Sequence, residues 1–437
     1  MKHREIADTP LGTPTKSVPS IVDKVRLVRG DSVLWVITIF LMVISLLAVY
    51  SSTAKMGYNP RMGGTTSSFL TKHILTLIAS GCIILLIYRV LNCNWFRWLT
   101  WPAYIFAMIC TGLVYVSGAS TNSAERWLDI GLFSFQPSEV LKIATVMLLA
   151  QQLATRQNQM DKIKILPLVN PLMLGDKREW QRWWADVKSG TLPILMPLLA
   201  ACSAVILSHF STTVILFVIG VAMMIVGRVK LVEIAKLIVL GIIAVALMLM
   251  VFTKIGRGTT AVNRITTWYE TITTDTSTKV NKFTDSERSV VAIHDGGAFG
   301  LGAGRSIMRP RITHPESDYM FAIFVEEYGI IMAFFLILLY MWIFFRAMRI
   351  FEQCGWVYAG LLVVGLAMLT TGQALMHIIV TINFMPETGQ NLPFITQSAT
   401  SMACSAAAMG MMLCISRQIE EGTLVPPRSE KMVKKVE

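Results

Sequence analysis

A carboxylate at the entrance to an apolar helix is the group in this sequence best suited to chemistry. Asp318 follows a long polar segment, residues 254–317, and stands at the start of a strongly apolar run. Partial burial at such a position raises the pKa of a carboxyl group, which suits a general base. A helix N-cap that stabilises the helix dipole is the alternative interpretation. We predict that Asp318 is the catalytic residue.

Two further pairs of charged residues lie inside apolar segments, where ionisable groups are costly and usually pair or serve a pathway. Glu326 and Glu327 lie about two turns into the helix that follows the candidate base. Glu139 and Lys142 are three residues apart, so they share one face in the first turns of a helix that Pro137 begins. An ion pair that only neutralises both charges and a role in substrate binding remain open for this pair.

Polar and glycine residues near these helix ends supply candidate binding groups. Arg126 and Trp127 could hold a phosphate and a sugar or lipid. A snorkelling pair at the membrane interface is the alternative for these two residues. The glycines from Gly296 to Gly304 let the backbone turn tightly and approach a ligand or another segment. The candidate substrate-binding residues are Arg126, Trp127, Glu139, Lys142, Gly302, Gly304 and Ser306.

The connection formed by residues 383–396 cannot be a regular helix, because it contains Pro386, Gly389 and Pro393. Irregular backbone at this depth is tolerated only against protein or a wet cavity. We therefore expect this connection to re-enter the membrane and to line the same cavity as the long polar loop. His377, in the preceding apolar run, is predicted to be a satisfied polar group and not a ligand.

Apolar runs near twenty residues long must position these groups. The chain is 54% hydrophobic and only 15% charged, with a mean hydropathy of +0.58, whereas soluble proteins carry about a quarter charged residues. This composition predicts an all-α polytopic membrane protein with about ten transmembrane helices. The predicted spans cover about residues 32–50, 70–91, 97–117, 138–153, 191–208, 212–227, 231–253, 319–344, 357–380 and 395–415.

Positive charge predicts the orientation of these spans. Lysine and arginine are concentrated in residues 1–30, 154–190 and 417–437, and such segments stay on the cytoplasmic side. Both termini are therefore predicted to be cytoplasmic, as a disordered N-terminal tail and a basic C-terminal tail, around one membrane domain that covers residues 31–416. The long loop 254–317, between helices 7 and 8, then lies outside, since long loops translocate largely regardless of charge.

Within the cytoplasmic segment 154–190, aromatic residues recur at helical spacing. Trp180, Trp183 and Trp184 are surrounded by lysine and arginine. This pattern predicts an amphipathic helix that lies on the cytoplasmic leaflet. Docking of a partner protein is the alternative role for the helix.

Several classes of site and partner are not indicated. The seven cysteines are scattered without a CxxC pair, so neither a zinc site nor a disulfide framework is predicted. The net charge of +12 fits anionic lipid heads and positive cytoplasmic loops, not nucleic acid. No cleavable signal peptide is evident, and the first apolar run is long enough to remain as an anchor.

Four sequence blocks resemble the SEDS family (shape, elongation, division and sporulation), the peptidoglycan polymerases typified by FtsW and RodA. The resemblance covers residues 32–416. It implies ten membrane helices with both termini inside. It also implies that the acid at the position of Asp318 is essential for polymerisation. The blocks are ERWL…FSFQPSEVLK (125–142), AIHDGGAFGLGAGRS (292–306), SDYMFAIFVEEYG (317–329) and PETGQNLPFI (386–395).

The resemblance implies glycan polymerisation from lipid II at the outer face of the cytoplasmic membrane. The glycine-rich block is more similar to the division branch than to the RodA-type elongation branch, which implies work at the division septum. The implied partners are a class B penicillin-binding protein, which would crosslink the strands, and other division proteins. Arg126, with Lys142 deeper, would supply cations for the departing pyrophosphate. A divalent cation, Mg or Mn, could share that task, although the sequence contains no dedicated ligand cluster.

The sequence departs from the family pattern at several positions. Glu316 and Ser317 stand where the family usually has His-Thr, and Arg288 replaces a glutamine. The segments 208–212 and 396–399 also differ from the usual motifs. Because the charged residues named above are retained, we interpret these differences as divergence. A lipid II flippase and a non-catalytic scaffold that recruits the transpeptidase are the rival hypotheses.

Overall fold

A computed structural model describes most of the membrane domain and leaves out both tails. The described residues are 29–56, 66–116, 128–129, 134–157, 160, 164, 177–206, 210–255, 264, 266–269 and 283–425. The predicted N-terminal tail 1–30 lies almost entirely outside the described residues, and more than half of the predicted C-terminal tail 417–437 does. Arg126 and Trp127 also lie outside them. The predicted division of the chain into tails and one membrane domain stays a prediction.

The described part of the chain is almost entirely helical. A two-residue antiparallel pair, β1 (Leu128–Asp129) and β2 (Ser134–Phe135), is a minor addition. A π-helix, Val187–Leu195, links two of the helices. The helices are α1 (Ser32–Met56), α2 (Thr66–Val90), α3 (Cys93–Val116), α4 (Pro137–Thr155), α5 (Lys177–Asp186), α6 (Met196–Ile206), α7 (Phe210–Val226), α8 (Leu231–Ile255), α9 (Asp285–Gly296), α10 (Met320–Gln353), α11 (Val357–Thr381) and α12 (Ala399–Glu420).

Each predicted span coincides with a helix, which supports a multi-pass membrane protein. By length and composition, six helical segments among the described residues could cross a membrane. The α4 helix is not among the six, because Glu139, Lys142 and two glutamines lower its hydropathy. The count of ten crossings, the cytoplasmic termini and the outer position of the long loop stay predictions. The six segments are Ser32–Ser51, Leu70–Val90, Lys177–Ile206, Met320–Gln353, Val357–Thr381 and Ala399–Glu420.

The α11 helix is the centre of the bundle. It packs against α4, α7, α10 and α12, and 72% of its apolar window is buried, compared with 17% in α2. The outward face of α2 carries exposed apolar side chains such as Leu75 and Leu85, as expected for a surface that meets lipid. Polar side chains on α11 therefore face protein, and they can serve a site inside the bundle.

The predicted amphipathic helix exists, but it is not a separate element. Trp180, Trp183 and Trp184 lie on α5, with stacked rings, and α5 continues through the π-helix into α6. The amide of Met196 donates to the carbonyl of Thr191, and this wider turn carries the helix past Pro193. The helical segment therefore begins at Lys177, before the predicted start of the fifth span near residue 191, and the point at which this segment enters the membrane stays a prediction.

The helix after Asp318 is broken in its first third. Gly329 has φ 82° and ψ 170°, so it divides α10 into a short N-terminal piece and a longer C-terminal piece. The backbone groups released by the break are satisfied by residues 297–302. The amides of Leu301 and Gly302 donate to the carbonyls of Glu326 and Glu327 at 2.9 and 3.0 Å, and the amide of Ile330 donates to Gly297 at 3.0 Å. The glycine-rich segment is thus inserted into the helix break.

Glycine permits this close contact between two backbones. A Cβ atom on Gly329 would lie 2.3 Å from the carbonyl oxygen of Ala298. On Gly300 it would lie 2.2 Å from the carbonyl oxygen of Glu327. Real Cβ atoms do not approach other heavy atoms so closely, and both residues also have positive φ. The predicted approach of the glycine-rich loop to another segment is confirmed at Gly300, whereas the role of Gly329 was not predicted.

Candidate functional site

Asp318 lies in a tight turn directly before α10. Its amide donates to the carbonyl of His314 at 3.1 Å, and the Ser317 hydroxyl donates to its Oδ1 at 3.0 Å. The N-cap of α10 is Tyr319, and its side chain makes no capping hydrogen bond. The N-cap interpretation of Asp318 was therefore wrong. The half-buried carboxylate is available for another purpose.

The connection 383–396 forms part of the support under this turn. The Gln397 amide, just beyond it, donates to the Glu316 carbonyl at 3.4 Å. His377 on α11 is 1% exposed. Its Nδ1 lies 2.7 Å from the Gln390 carbonyl, and its Nε2 accepts the Phe321 amide at 3.3 Å. These partners imply that Nδ1 carries the proton. The prediction that His377 is a satisfied polar group is confirmed, whereas re-entry of residues 383–396 and a cavity shared with the long loop stay predictions.

Glu326 anchors the end of the glycine-rich loop. It is fully buried, and its Oε1 accepts the amides of Ile307 and Met308 at 2.6 and 3.1 Å. The Ser306 hydroxyl donates to its other oxygen. Because Ser306 is itself 0% exposed, its side chain holds the loop and is not accessible to a substrate. The prediction that Ser306 binds substrate is corrected accordingly.

Glu327 pairs with a buried arginine. Its Oε1 lies 2.6 Å from Nη2 of Arg309, and its Oε2 accepts the hydroxyl of Ser51 on α1. Arg309 also donates to the Ser51 carbonyl at 2.6 Å, and the Gly304 amide donates to the Ser51 hydroxyl at 2.7 Å. The two carboxylates in α10 thus fix the loop by charge-assisted hydrogen bonds. Gly304 has an anchoring contact here, and substrate contacts by Gly302 and Gly304 stay predictions.

The second charged pair forms the ion pair expected from its spacing. Lys142 Nζ lies 2.8 Å from Glu139 Oε1, and the two side chains are 1% and 7% exposed. They line a narrow cleft with Gln373, Cys404 and other residues of α11 and α12. Gln373 lies one helical turn from His377 on α11. The central helix therefore carries polar groups toward both the ion pair and the turn that holds Asp318.

Double replacement of this ion pair should separate its two possible roles. Glu139→Leu or Lys142→Leu alone should lower stability by about 3–5 kcal/mol, because each leaves one charge buried without a partner. The double variant should recover most of that loss. Thermal unfolding in detergent measures the stability, and an assay of the glycan polymerisation that the resemblance implies measures activity. A stable, active double variant would show that the pair only neutralises itself, whereas a stable, inactive one would assign it to the reaction.

The described residues do not offer a resident metal site. Among them, no group of three or more His, Cys, Asp or Glu side chains could hold a metal ion. Glu326 and Glu327 already accept amides, hydroxyls and a guanidinium. The Mg or Mn ion suggested by the sequence therefore has no fitted ligand set in the described part of the chain.

Sequence inspection missed two residues near the candidate base. Arg309 was not singled out, although two carboxylates in an apolar helix already imply a buried cation as their partner. Glu316 was noted only as a departure from a family motif. Its backbone carbonyl and side chain both belong to the turn that holds Asp318. No local pattern marks either role, because the contacts come from segments far apart in the chain.

Comparisons with known proteins agree over almost the whole chain. The family model described as a cell cycle protein, for FtsW, RodA and SpoVE, matches residues 31–421. The probable peptidoglycan glycosyltransferase FtsW of Thioalkalivibrio sulfidiphilus is 26% identical over 396 residues, which cover 88% of this chain and 89% of that protein. Stage V sporulation protein E of Bacillus subtilis is 26% identical, with coverage of 89% and 97%.

Solved structures show the same fold. A chain from a study of how a peptidoglycan synthase complex coordinates polymerization and crosslinking superposes with a TM-score of 0.63 at 16% identity, covering 89% of this chain and 98% of that one. The rod shape determining protein RodA of Thermus thermophilus gives a TM-score of 0.58 at 17% identity, with coverage of 89% and 97%. At these identities the likeness concerns the fold alone.

Proposed function

Since the chain belongs to the cell cycle protein family of FtsW, RodA and SpoVE, we propose that it is a peptidoglycan glycosyltransferase that polymerises lipid II. The proposed site lies at the outer face of the cytoplasmic membrane, and the proposed setting is septal wall synthesis during division. Relatives named as FtsW support the division setting. The observation that carries the proposal is the half-buried Asp318 carboxylate. It caps no helix, and hydrogen bonds hold it in the turn before α10.

In the proposed reaction, Asp318 acts as the general base. The 4-hydroxyl of the acceptor GlcNAc attacks the anomeric carbon of the donor MurNAc, and its proton passes to Asp318. The bond from that carbon to the pyrophosphate oxygen breaks with inversion, so undecaprenyl pyrophosphate leaves with the bonding electrons. The Ser317 hydroxyl donates to Oδ1 of Asp318, and we assign Oδ2 as the oxygen that accepts the proton of the incoming hydroxyl.

The departing pyrophosphate needs cations, and the described arginines and lysines differ in availability. Arg309 is buried against Glu327, and Lys142 is buried against Glu139. Lys142 could therefore assist only if the pyrophosphate displaced Glu139 from it. Arg126 therefore remains the residue that we propose as the main cation for the departing pyrophosphate, because it lies just before the helix that carries Glu139 and Lys142 in the sequence.

The proposed partner is a class B penicillin-binding protein that crosslinks the new strands. The fold likeness to a chain studied in a peptidoglycan synthase complex supports this pairing. Lipid II as substrate and other division proteins as additional partners complete the proposal. In this proposal the protein extends glycan chains, and the penicillin-binding protein then crosslinks them.

Incubation of labelled lipid II with the purified protein, with and without the transpeptidase partner, tests the proposal. We expect long glycan strands on a denaturing gel, because polymerisation needs no crosslinking step. Absence of strands even with the partner present would contradict a polymerase. In that case, movement of labelled lipid II between leaflets of reconstituted vesicles would favour a flippase, and no movement would favour a scaffold.

A further inference from the structure

The α12 helix begins beside the turn that holds Asp318. The Gln397 amide donates to the Glu316 carbonyl of that turn at 3.4 Å, and the next residue, Ser398, is the N-cap of α12. Its side chain makes no capping hydrogen bond, and the first turn of α12 contains no acidic residue. The α12 helix packs against α4, and both helices line the cleft described above. The positive end of the α12 dipole thus lies between this cleft and the proposed base.

Buried polar groups around the cleft lack hydrogen-bond partners among the described residues. They are Nε2 of Gln373 and the hydroxyls of Ser138 and Thr400, and each of these residues is at most 9% exposed. Gln373 lines the cleft directly. Ser138 lies four residues before Lys142, and Thr400 lies four residues before Cys404, so each shares a helix face with a residue that lines the cleft. Buried polar groups without partners are costly and require an explanation.

All of these groups can donate a hydrogen bond. The two hydroxyls and the amide nitrogen each carry hydrogen. The Lys142 ammonium has three donors, and Glu139 Oε1 lies 2.8 Å from its nitrogen. Because this pairing also neutralises the carboxylate that lines the cleft, the donors and the helix ends favour a ligand with several acceptor oxygens. Such a ligand is an anion of the phosphate type.

We propose that the first turns of α4 and α12, together with Gln373, bind the diphosphate group of the lipid-linked substrate. This inference rests on the proposed function, in which pyrophosphate leaves as Asp318 takes the proton of the attacking hydroxyl. The cleft has about 10 Å³ of free space, enough for one oxygen-sized group. Gln373 therefore holds one non-bridging oxygen of the diphosphate, and the hydroxyls of Ser138 and Thr400 hold the remainder.

Binding of undecaprenyl pyrophosphate to Thr400→Val and Gln373→Met tests this inference. Each replacement keeps the approximate shape of the side chain and removes a buried donor without a partner, so the free protein should be at least as stable as the wild type. The dissociation constant should rise by about tenfold to a hundredfold in each variant, because a hydrogen bond to a charged oxygen is lost. The rise in unfolding temperature with ligand concentration, in detergent, measures this constant.

Thr371→Val is the matched control variant. Thr371 is a buried threonine of α11, but its hydroxyl donates to the Tyr340 carbonyl of α10 at 3.1 Å. Its replacement should lower stability slightly, because a satisfied hydrogen bond is lost, and should leave the affinity for undecaprenyl pyrophosphate unchanged. Undecaprenol, which lacks the diphosphate, and phosphatidylglycerol, an anionic phospholipid, are the control ligands, and neither should bind in a way that depends on Thr400.

Wild-type affinity in both Thr400→Val and Gln373→Met would overturn the proposal. Absence of binding by the wild type would also overturn it, since the cleft would then hold only water. Equal stabilisation by phosphatidylglycerol that both variants lose would assign the cleft to a phospholipid head group and likewise overturn it. None of these measurements needs turnover. If the wild type makes no strands but binds undecaprenyl pyrophosphate through these residues, the proposed polymerase fails and the diphosphate site stands.

Discussion

Gly329→Ala should prevent correct folding of the short N-terminal piece of α10. The added Cβ would lie 2.3 Å from the Ala298 carbonyl oxygen, and the residue has φ 82°. Relief of this clash requires the glycine-rich segment to leave the helix break, which exposes the carbonyls of Glu326 and Glu327 to a dry environment. Backbone strain alone costs about 1–3 kcal/mol, and each lost buried hydrogen bond adds about 1–3 kcal/mol. We expect a large fall in unfolding temperature and in monodisperse yield.

Gly372→Ala is the matched control for this experiment. Gly372 lies within α11, and a Cβ there would meet nothing within 4 Å. Because alanine is a better helix former than glycine, the control should be neutral or stabilised by about 0.5–1 kcal/mol. Equal stability of the two variants would show that the inserted backbone is not needed to hold the N-terminal piece of α10.

The helices could be predicted from the sequence, but the break in α10 could not. Apolar runs long enough to cross a membrane are visible in the sequence itself, and the structure contains a helix at each predicted span. Apolar residues follow Gly329 directly, and apolar residues also precede Glu326 and Glu327, so the glycine reads as part of one helical run, in which it is usually tolerated. The break depends on hydrogen-bond partners from residues 297–302, which follow a different helix, and no local pattern encodes that contact.

The candidate site was predictable where a charge is unusual in its surroundings. Asp318 and the pair of Glu139 and Lys142 stand out because ionisable groups are rare beside or within apolar helices. Ser306 was assigned to substrate from its place in a glycine-rich loop, yet it is buried against Glu326. A residue in a loop can face a ligand or another segment, and only the tertiary contacts decide between these alternatives.

Asp318→Asn should abolish strand formation while leaving the fold intact. Asparagine has the same shape as aspartate, and its amide oxygen can still accept the Ser317 hydroxyl that Oδ1 accepts now. It cannot accept the proton of the attacking hydroxyl. Loss of a general base typically lowers the rate by about 10²–10⁴-fold. The half-buried side chain caps no helix, so stability should change little.

The most direct test of the central claim is the initial rate of strand formation from labelled lipid II by Asp318→Asn. The rate should be compared with those of the wild type and of Asp295→Asn, at equal amounts of folded protein and with the transpeptidase partner present. We predict strands from the wild type and from Asp295→Asn, and none from Asp318→Asn despite an unchanged unfolding temperature. Strands formed at the wild-type rate by Asp318→Asn would contradict the assignment of Asp318 as the base.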